Sequence, residues 1–333
     1  MSNRILMTAN DDYVLGRPKI DEIEVRMITD NSLMVANILA GEVQVTMGRN
    51  LSLEQANSVR EQWRDGSIRL GGTSNPMIIY PSFLYGDPPV VKDLRFRRAM
   101  LMAINRQELA ESLLPGFSTV AHSVMLPSDP DFAAIDSSVV KYPYDPAQAV
   151  RMIEGIGYTR GGDGMFRDTA GQPLAVEMRT TSDNEIHMKA FFPVIDYLKG
   201  VGIQIDAVVV PPARQRDVEY RAKFPGFQYT QGSCCLASLG NYVTTQQKTA
   251  ENGYRGNHTG YGNQEYDGFV ERYLTTIPKA ERLRVAGQAI HHMTDQLVVM
   301  TTFYNTQPQA LSNRVKNAPD NGSIANIQNW DVL

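Results

Sequence analysis

The chain has 333 residues, of which 42% are hydrophobic and 20% charged, the composition of an ordinary folded protein long enough for two or more lobes. Its net charge of −4 is not that of a protein with a basic surface for binding nucleic acid or an anionic membrane. No apolar run approaches the ~20 residues that a membrane span requires. The first residues lack the basic and apolar regions of a secretory signal, which by itself favours the cytoplasm.

The first segment predicts a strand, a helix and a second strand. Ile23, Val25 and Met27 alternate with charged residues, which is the period of a half-buried strand. Residues 30–40 are compatible with a helix, and residues 43–47 predict the next strand.

The following residues predict alternating helices and strands. Residues 51–64 have helical spacing, and the apolar run 77–85 predicts a buried strand. An extended Pro-Pro segment at 88–89 then leads into a helix, and Asn105 with Glu108 three residues later starts another helix.

Three arginines, Arg95, Arg97 and Arg98, stand in the first turn of the helix that follows the Pro-Pro segment. Their positive charges oppose the helix macrodipole, so we expect Asp93 to offset them. We interpret the three arginines as exposed or ion-paired residues.

The second half predicts a strand–helix–strand unit. Asp145 caps a helix with Pro146 at its first position, and the glycines at 161–164 predict a hairpin turn. A strand at 174–178, a helix at 184–198 and a strand at 203–209 follow, so the two strands are expected to be parallel. Later, Asn263 is a predicted helix cap, and residues 297–304 are an apolar strand.

Four phrases of the sequence stand in a characteristic order. They are Tyr13-x-x-Gly16-x-Pro18 through Gly41-Glu42-Val43, Asp93-x-Arg95-x-Arg97-x-Ala99 with Ala103-Ile104-Asn105-Arg106, Tyr144-Asp145-Pro146 through Gly157-Tyr158, and Asn257-x-Thr259-Gly260-Tyr261 through Tyr266-Asp267. Together they resemble the solute-binding receptors of bacterial ABC importers, specifically the dipeptide/oligopeptide class, family 5. The one departure within the second phrase is Asn105, where the family usually has Asp.

The resemblance implies an α/β fold with two lobes, the clamshell of the type II periplasmic-binding-protein class, which closes on its ligand by hinge motion. Because the first phrase lies in the middle of the family's receptors, we expect the N-terminal part of the first lobe to be missing. Residues 1–76 and 305–333 are then expected in lobe I, and residues 77–304 in lobe II.

The function that the resemblance implies is non-catalytic capture of a small solute, such as a peptide or an oligosaccharide, for delivery to the permease subunits of an ABC importer. The expected place is periplasmic or extracellular, membrane-associated through the transporter, although this chain shows no signal peptide. We expect a monomer with no nucleic-acid partner. Two alternatives are a cytoplasmic ligand-sensing module of a transcription regulator and a thiol hydrolase that uses Cys234 or Cys235.

The resemblance also implies a ligand-binding segment at Gly232. In peptide receptors of this family, a Gly-Trp pair and a following Asp contact the ligand here, and the Asp neutralises the terminal amine of the peptide. This sequence has Ser233 in place of the Trp, and Leu236 or Ala237 where the Asp would stand. A pocket without the acid disfavours an ammonium group, which weakens peptide as the ligand.

Aromatic rings on the predicted strand 77–85 and beside Gly232 are further candidates for contact with the solute. The ligand-binding residues that we predict are Tyr80, Phe83, Tyr85, Tyr229, Gly232, Ser233, Cys234, Cys235, Asn241 and Tyr242.

We expect no catalytic residue, no metal and no cofactor. A disulfide between the neighbours Cys234 and Cys235 requires a strained ring, so two free thiols are predicted, and nothing ties a histidine to them as a base. His291 and His292 point about 100° apart on a helix and are interpreted as solvated or capping residues. The glycines at 161–164 lack the spacing of a calcium loop.

Overall fold

The computed structural model describes residues 4–28, 30–47, 51–70, 74–182, 184–319 and 326–333. The chain folds into two compact units, of which unit 1 comprises Met1–Ser74 with Thr306–Leu333, and unit 2 comprises Asn75–Asn305. The lobe limits expected from the sequence lie beside these limits, and the identification of the units with receptor lobes stays a prediction. Within the described residues, no helix is long and apolar enough to cross a membrane.

The elements of the described residues alternate between strands and helices. The strands are β1 (Arg4–Thr8), β2 (Glu22–Arg26), β3 (Gly66–Leu70), β4 (Pro76–Pro81), β5 (Thr159–Arg160), β6 (Phe166–Arg167), β7 (Ala175–Thr181), β8 (Gln204–Val210), β9 (Phe227–Gln231), β10 (Met300–Tyr304), β11 (Pro308–Ser312), β12 (Val315–Lys316) and β13 (Asp331–Val332). The helices are α1 (Asn31–Leu39), α2 (Leu53–Gln62), α3 (Leu94–Ala103), α4 (Arg106–Leu113), α5 (Phe132–Asp136), α6 (Pro146–Gly155), α7 (Glu185–Gly200), α8 (Val218–Ala222), α9 (Gln264–Thr275) and α10 (Lys279–Asp295).

The described residues of unit 1 form three two-stranded sheets, β1–β2, β3–β11 and β12–β13, together with α1 and α2. Ile38 of α1, Val59 of α2 and Trp63 belong to one buried cluster with Ala310 of β11. The two ends of the chain therefore share one core.

Residues 43–47 do not form the predicted strand, since only an isolated bridge joins Val45 to Leu311. Thr46 explains why the ladder does not extend. Its backbone N–H donates to the carbonyl of Ala310, but its hydroxyl, rather than its carbonyl, accepts the N–H of Ala310 at 2.8 Å. The Thr46 side chain thus replaces one backbone hydrogen bond of the ladder.

The β1–β2 sheet has one apolar face. Ile5 pairs with Val25 and Met7 with Ile23, and directly opposed residues of an antiparallel pair lie on the same face. Ile5 is 51% exposed and Met7 is 40% exposed. A large part of this face is therefore in contact with solvent.

Unit 2 is built on a five-stranded sheet with the order β10–β4–β9–β7–β8. β4 is antiparallel to both of its neighbours, and β7 is parallel to β8 and to β9. The predicted β7–α7–β8 unit with a parallel strand pair is confirmed, as is the hairpin of β5 and β6. All six residues of β4 are buried, so both faces of this strand are covered.

Three helix starts follow the predicted caps: the side chains of Asn105, Asp145 and Asn263 each accept a backbone N–H from the first turn of α4, α6 and α9, respectively. The Asp93 side chain, which was not predicted as a cap, accepts the Arg95 N–H in the first turn of α3. Asp93 also forms an ion pair with Arg95 at 2.7 Å, as expected.

The predicted strand at 77–85 ends earlier, at Pro81. The backbone leaves the ladder because Phe83 donates its N–H to the carbonyl of Thr259 at 2.8 Å, and Asp87 donates to Pro225. Phe83 and Tyr85 consequently lie in a loop.

Two arginines of the α3–α4 region are buried, which corrects the interpretation of Arg97 as an exposed or ion-paired residue. Arg97 donates to the carbonyls of Val91 and Gln296, and its guanidinium lies 4.6 Å from the Phe83 ring centroid. Burial lowers the pKa of Arg97 to about 10, which leaves it charged at neutral pH. Two backbone carbonyl groups accept hydrogen bonds from the guanidinium, and the charge of Asp93 also favours its charged form.

The Arg106 side chain also donates to backbone carbonyl groups. Its guanidinium donates to Ala121 and Thr301, each at 3.1 Å, and to Tyr142. Arg106 thus connects α4 to β10 and to two loops.

Replacement of Arg106 by methionine is expected to lower the free energy of unfolding by about 3 kcal/mol, because three carbonyl groups lose their charged donor. Urea unfolding followed by circular dichroism measures this change. Arg95→Met is the matched control, since Arg95 is exposed and its ion pair with Asp93 is worth at most about 1 kcal/mol. Equal losses in the two variants would contradict this role of Arg106.

Candidate functional site

One edge of the unit 2 sheet contains the carboxyl ends of its parallel strands. β7 ends at Thr181 and β9 at Gln231, and the antiparallel β4 begins at this edge, where Met77 pairs with Gln231. β10 ends here too, where Tyr304 pairs with Pro76. Ligands of open α/β sheets bind outside the carboxyl ends of the strands, so this edge is the candidate ligand-binding site.

Gln231 is the centre of a hydrogen-bond network at this edge. Its backbone N–H donates to Nε2 of His187 at 3.1 Å, and its side-chain amide donates to the carbonyl of Asn75 at 3.2 Å. The Asn305 amide donates to Oε1 of Gln231 at 3.5 Å, and the other ring nitrogen of His187 lies 3.4 Å from the Thr181 hydroxyl. The network fixes the last residue before the predicted ligand segment.

Sequence reasoning missed these polar residues. β9 was not predicted, so Gln231 had no assigned position, and Asn75 and Asn305 lie just outside the strands predicted there. A signal was present for His187, because it lies in the first turn of the helix that follows a predicted strand of the βαβ unit.

Gly232 is required by the close approach of its backbone to β4. A Cβ atom at this position would lie 2.0 Å from Cδ1 of Ile78 and 3.0 Å from the Tyr80 hydroxyl. The Gly232 N–H donates to the carbonyl of Pro76 at 2.9 Å. At Gly232 the chain therefore still lies beside β4, against the Ile78 and Tyr80 side chains, before it turns into the 3-10 helix Leu236–Tyr242.

Two predicted tyrosines lie under this segment. The Tyr80 and Tyr242 hydroxyls are 3.5 Å apart, and both residues are buried. Burial raises the pKa of Tyr80, so its hydroxyl is neutral. The backbone of Ser233 donates a hydrogen bond to that hydroxyl, and Ser233 itself is exposed.

The two cysteines follow Ser233, and both are free thiols, as predicted. Their sulfur atoms lie 2.8 Å apart, and the Cys235 thiol donates to the Cys234 sulfur. This bond lowers the pKa of Cys234 and raises that of Cys235. The charge of the nearby Asp129 partly offsets the lowering of the Cys234 pKa and adds to the raised pKa of Cys235.

The structure brings together only part of the predicted site. Tyr80 and Tyr242 lie with the segment that contains Gly232, Ser233, Cys234, Cys235 and the exposed Asn241. The Tyr229 side chain is fully buried in the core, and its hydroxyl lies 3.3 Å from that of Thr302.

Phe83 and Tyr85 lie at the opposite edge of the sheet, where Ser82 bonds to Gly226 at the start of β9. Phe83 packs against the Tyr261 ring at a centroid distance of 4.9 Å. The Tyr85 hydroxyl donates to the carbonyl of Lys248 at 2.8 Å. Neither residue lies at the edge that contains Gly232.

The adjacent histidines have different surroundings. His291 is exposed, and its Nδ1 lies 2.9 Å from the carbonyl of Ser138. His292 is buried, not solvated, and its Nε2 lies 2.8 Å from the Tyr261 hydroxyl. Burial lowers the pKa of His292. Across the described part of the chain, no group of three His, Cys, Asp or Glu residues is arranged to hold a metal ion.

The sequence matches the model of a protein family, the middle part of the bacterial extracellular solute-binding proteins, family 5, over residues 2–233. It is 24% identical over 207 residues to the oligopeptide-binding protein AppA of Bacillus subtilis. This alignment covers 62% of this chain and 36% of AppA. It is 30% identical over 154 residues to a putative ABC transporter peptide-binding protein of Brucella ovis. This alignment covers 46% of this chain and 27% of that protein. The chain thus spans about a third of the length of these curated relatives.

The fold is similar to that of solved solute-binding proteins. AppA of Bacillus subtilis in complex with a nonapeptide has a TM-score of 0.77 and 18% identity, and the match covers 99% of this chain and 64% of that chain. NikZ of Campylobacter jejuni in complex with Ni(L-His) has a TM-score of 0.82 and 16% identity, with 99% and 65% covered. The predicted α/β fold class is confirmed, and these two structures contain different ligands.

Substitution of Gly232 by alanine is expected to lower the free energy of unfolding by about 1–3 kcal/mol, because the new methyl group overlaps Cδ1 of Ile78. Urea unfolding measures the change. The double variant with Ile78→Val lacks that Cδ1 atom and should recover part of the loss. Gly240→Ala is the control, since no atom lies within 4 Å of its added Cβ. A loss no larger than that of the control would contradict the close approach.

Proposed function

This chain belongs to family 5 of the bacterial extracellular solute-binding proteins, and we propose that it is part of the solute-capturing receptor of an ABC importer. The observation that supports the proposal most is the family match over residues 2–233, most of the chain. Proteins of this family are binding proteins for transporters and not enzymes, so neither the thiol hydrolase nor the transcription regulator is supported.

The proposed place of action is outside the cytoplasmic membrane, with delivery of the solute to the permease subunits of the importer. Unit 2 would be lobe II, and unit 1 would be the part of lobe I that this chain contains. The partial span of the longer relatives supports the view that lobe I has a further part. The exposed apolar face of β1–β2 is a surface suited to that part.

The proposed solute-binding residues in unit 2 are those of the segment after β9. Ser233 and Asn241 are exposed, and Cys234 and Cys235 are partly exposed, so a solute can reach all four without unfolding of the core. The Tyr80 hydroxyl and the Gln231 network support this segment from below. Tyr229, Phe83 and Tyr85 are better assigned to packing than to solute contact.

The chemistry of the segment favours a solute without a free amino terminus. Residues 232–242 contain no carboxylate, and Leu236, at a position where peptide receptors have their acid, is buried and apolar. A buried ammonium without a partner is unfavourable. Asp129 is the nearby acid, and it lies on a different loop.

A panel of peptides with free and acetylated amino termini, together with oligosaccharides, should identify a solute that raises the unfolding temperature of this chain by mass action. Differential scanning calorimetry measures the shift, and titration calorimetry gives the dissociation constant. Acetylated peptides are expected to bind at least as tightly as free ones. A clear preference for the free amine would contradict the assignment from the missing acid, and no shift with any solute would contradict capture by this chain.

The site within unit 2 is tested by Asn241→Trp, which adds a large ring at an exposed position of the segment. The expected result is weaker binding of the solute from the panel, with a change of less than about 0.5 kcal/mol in the free energy of unfolding. Ala280→Trp, at an exposed position in the first turn of α10, is the matched control. Unchanged affinity for Asn241→Trp would place the site elsewhere without affecting the proposed function.

A further inference from the structure

The side chains of Cys234 and Cys235 point in the same direction, which is unusual for neighbours. Successive side chains of an extended segment point to opposite sides. Cys235, however, has a φ of +70° and a ψ of 172°, a positive-φ conformation that few non-glycine residues adopt. As a result, the two sulfur atoms lie 2.8 Å apart.

Hydrogen bonds from three directions hold Cys235 in this conformation. Its N–H donates to the carbonyl of Val124 at 2.9 Å, and its carbonyl accepts both the N–H and the hydroxyl of Ser238, at 3.0 and 2.8 Å. The N–H of Leu126 donates to the Cys235 sulfur. A strained conformation that is fixed by so many partners points to a role of the two thiols as a pair.

The pair is expected to persist as two thiols. Adjacent Cα atoms are about 3.8 Å apart, whereas disulfides usually join Cα atoms about 4.4–6.8 Å apart. A disulfide here would be strained and readily reduced. Both cysteines are partly exposed, so a reagent from solvent can reach them.

We propose that Cys234 and Cys235 form a chelating dithiol site for trivalent arsenic and related metalloids. Thiolates prefer soft centres. Because both sulfurs lie on the same side of the chain, they suit a pyramidal centre, whose two bonds to sulfur enclose an angle far below 180°. The same arrangement excludes an ion that prefers two sulfurs in a line. The third position is left for a hydroxide or an organic group.

The reaction involves no oxidation or reduction. For an arsenoxide, two S–H bonds and one As=O bond are exchanged for two As–S bonds, and the oxygen leaves with both protons as water. The lowered pKa of Cys234 supplies the first thiolate, and the amide N–H of Leu126 stabilises charge on the second sulfur. The site does not depend on the proposed transport function, but a metalloid bound here would occupy the proposed solute segment.

Phenylarsine oxide is the probe, with native mass spectrometry as the measurement. One equivalent is expected to bind per chain with loss of one water, and 2,3-dimercaptopropanol should remove it. Cys234→Ser and Cys235→Ser are each expected to bind at least about 100-fold more weakly, because the second bond no longer forms within the molecule. An adduct of equal strength in either variant would overturn the chelate.

The native geometry is tested separately, because any two adjacent cysteines can react with an arsenical when the chain is flexible. The folded chain is expected to bind phenylarsine oxide more tightly than the same chain in urea, since its sulfurs are already held together. No adduct on the folded chain, or equal binding by the folded and unfolded chains, would overturn the proposal even if a serine variant failed to fold.

Discussion

The antiparallel pairing of β4 with β10 is the constraint on which the rest of the structure depends. It places the first and last residues of unit 2 side by side, and the Asn305 N–H donates to the carbonyl of Asn75 at 3.3 Å. β9 pairs with the other side of β4, so Gln231 reaches the same edge. The segment with the proposed solute contacts therefore begins where the chain enters and leaves unit 2.

Helix starts could be predicted from the sequence because their causes are local. Asn105 and Asn263 each bond to an amide within the first turn of their own helix, so a few residues contain the whole signal. Strand ends have remote causes: the hydroxyl of Thr46 interrupts a ladder with Ala310, and Phe83 leaves its strand to bond to Thr259. β9 was missed because both of its faces are largely buried, which removes the alternation that marks a strand.

The residues of the candidate site could be predicted only where they belong to a sequence segment that resembles the family. Gly232 and its neighbours were found through resemblance, whereas His187 and Asn305 join them through the topology of the sheet. Phe83 was grouped with them because the sequence does not reveal at which edge a strand ends. The burial of Arg97 was hidden for a similar reason, since one of its carbonyl partners lies at the end of α10.

The division of unit 1 between the two ends of the chain has a consequence for biosynthesis. β3 is translated long before β11, its only partner among the described residues, so this sheet cannot form while the ribosome is still making unit 2. Unit 2 can fold first, as domains generally do during synthesis. Its adjacent ends then bring β3 and β11 together, which replaces a very long loop closure with a short one. For this chain, the part that emerges first is completed last.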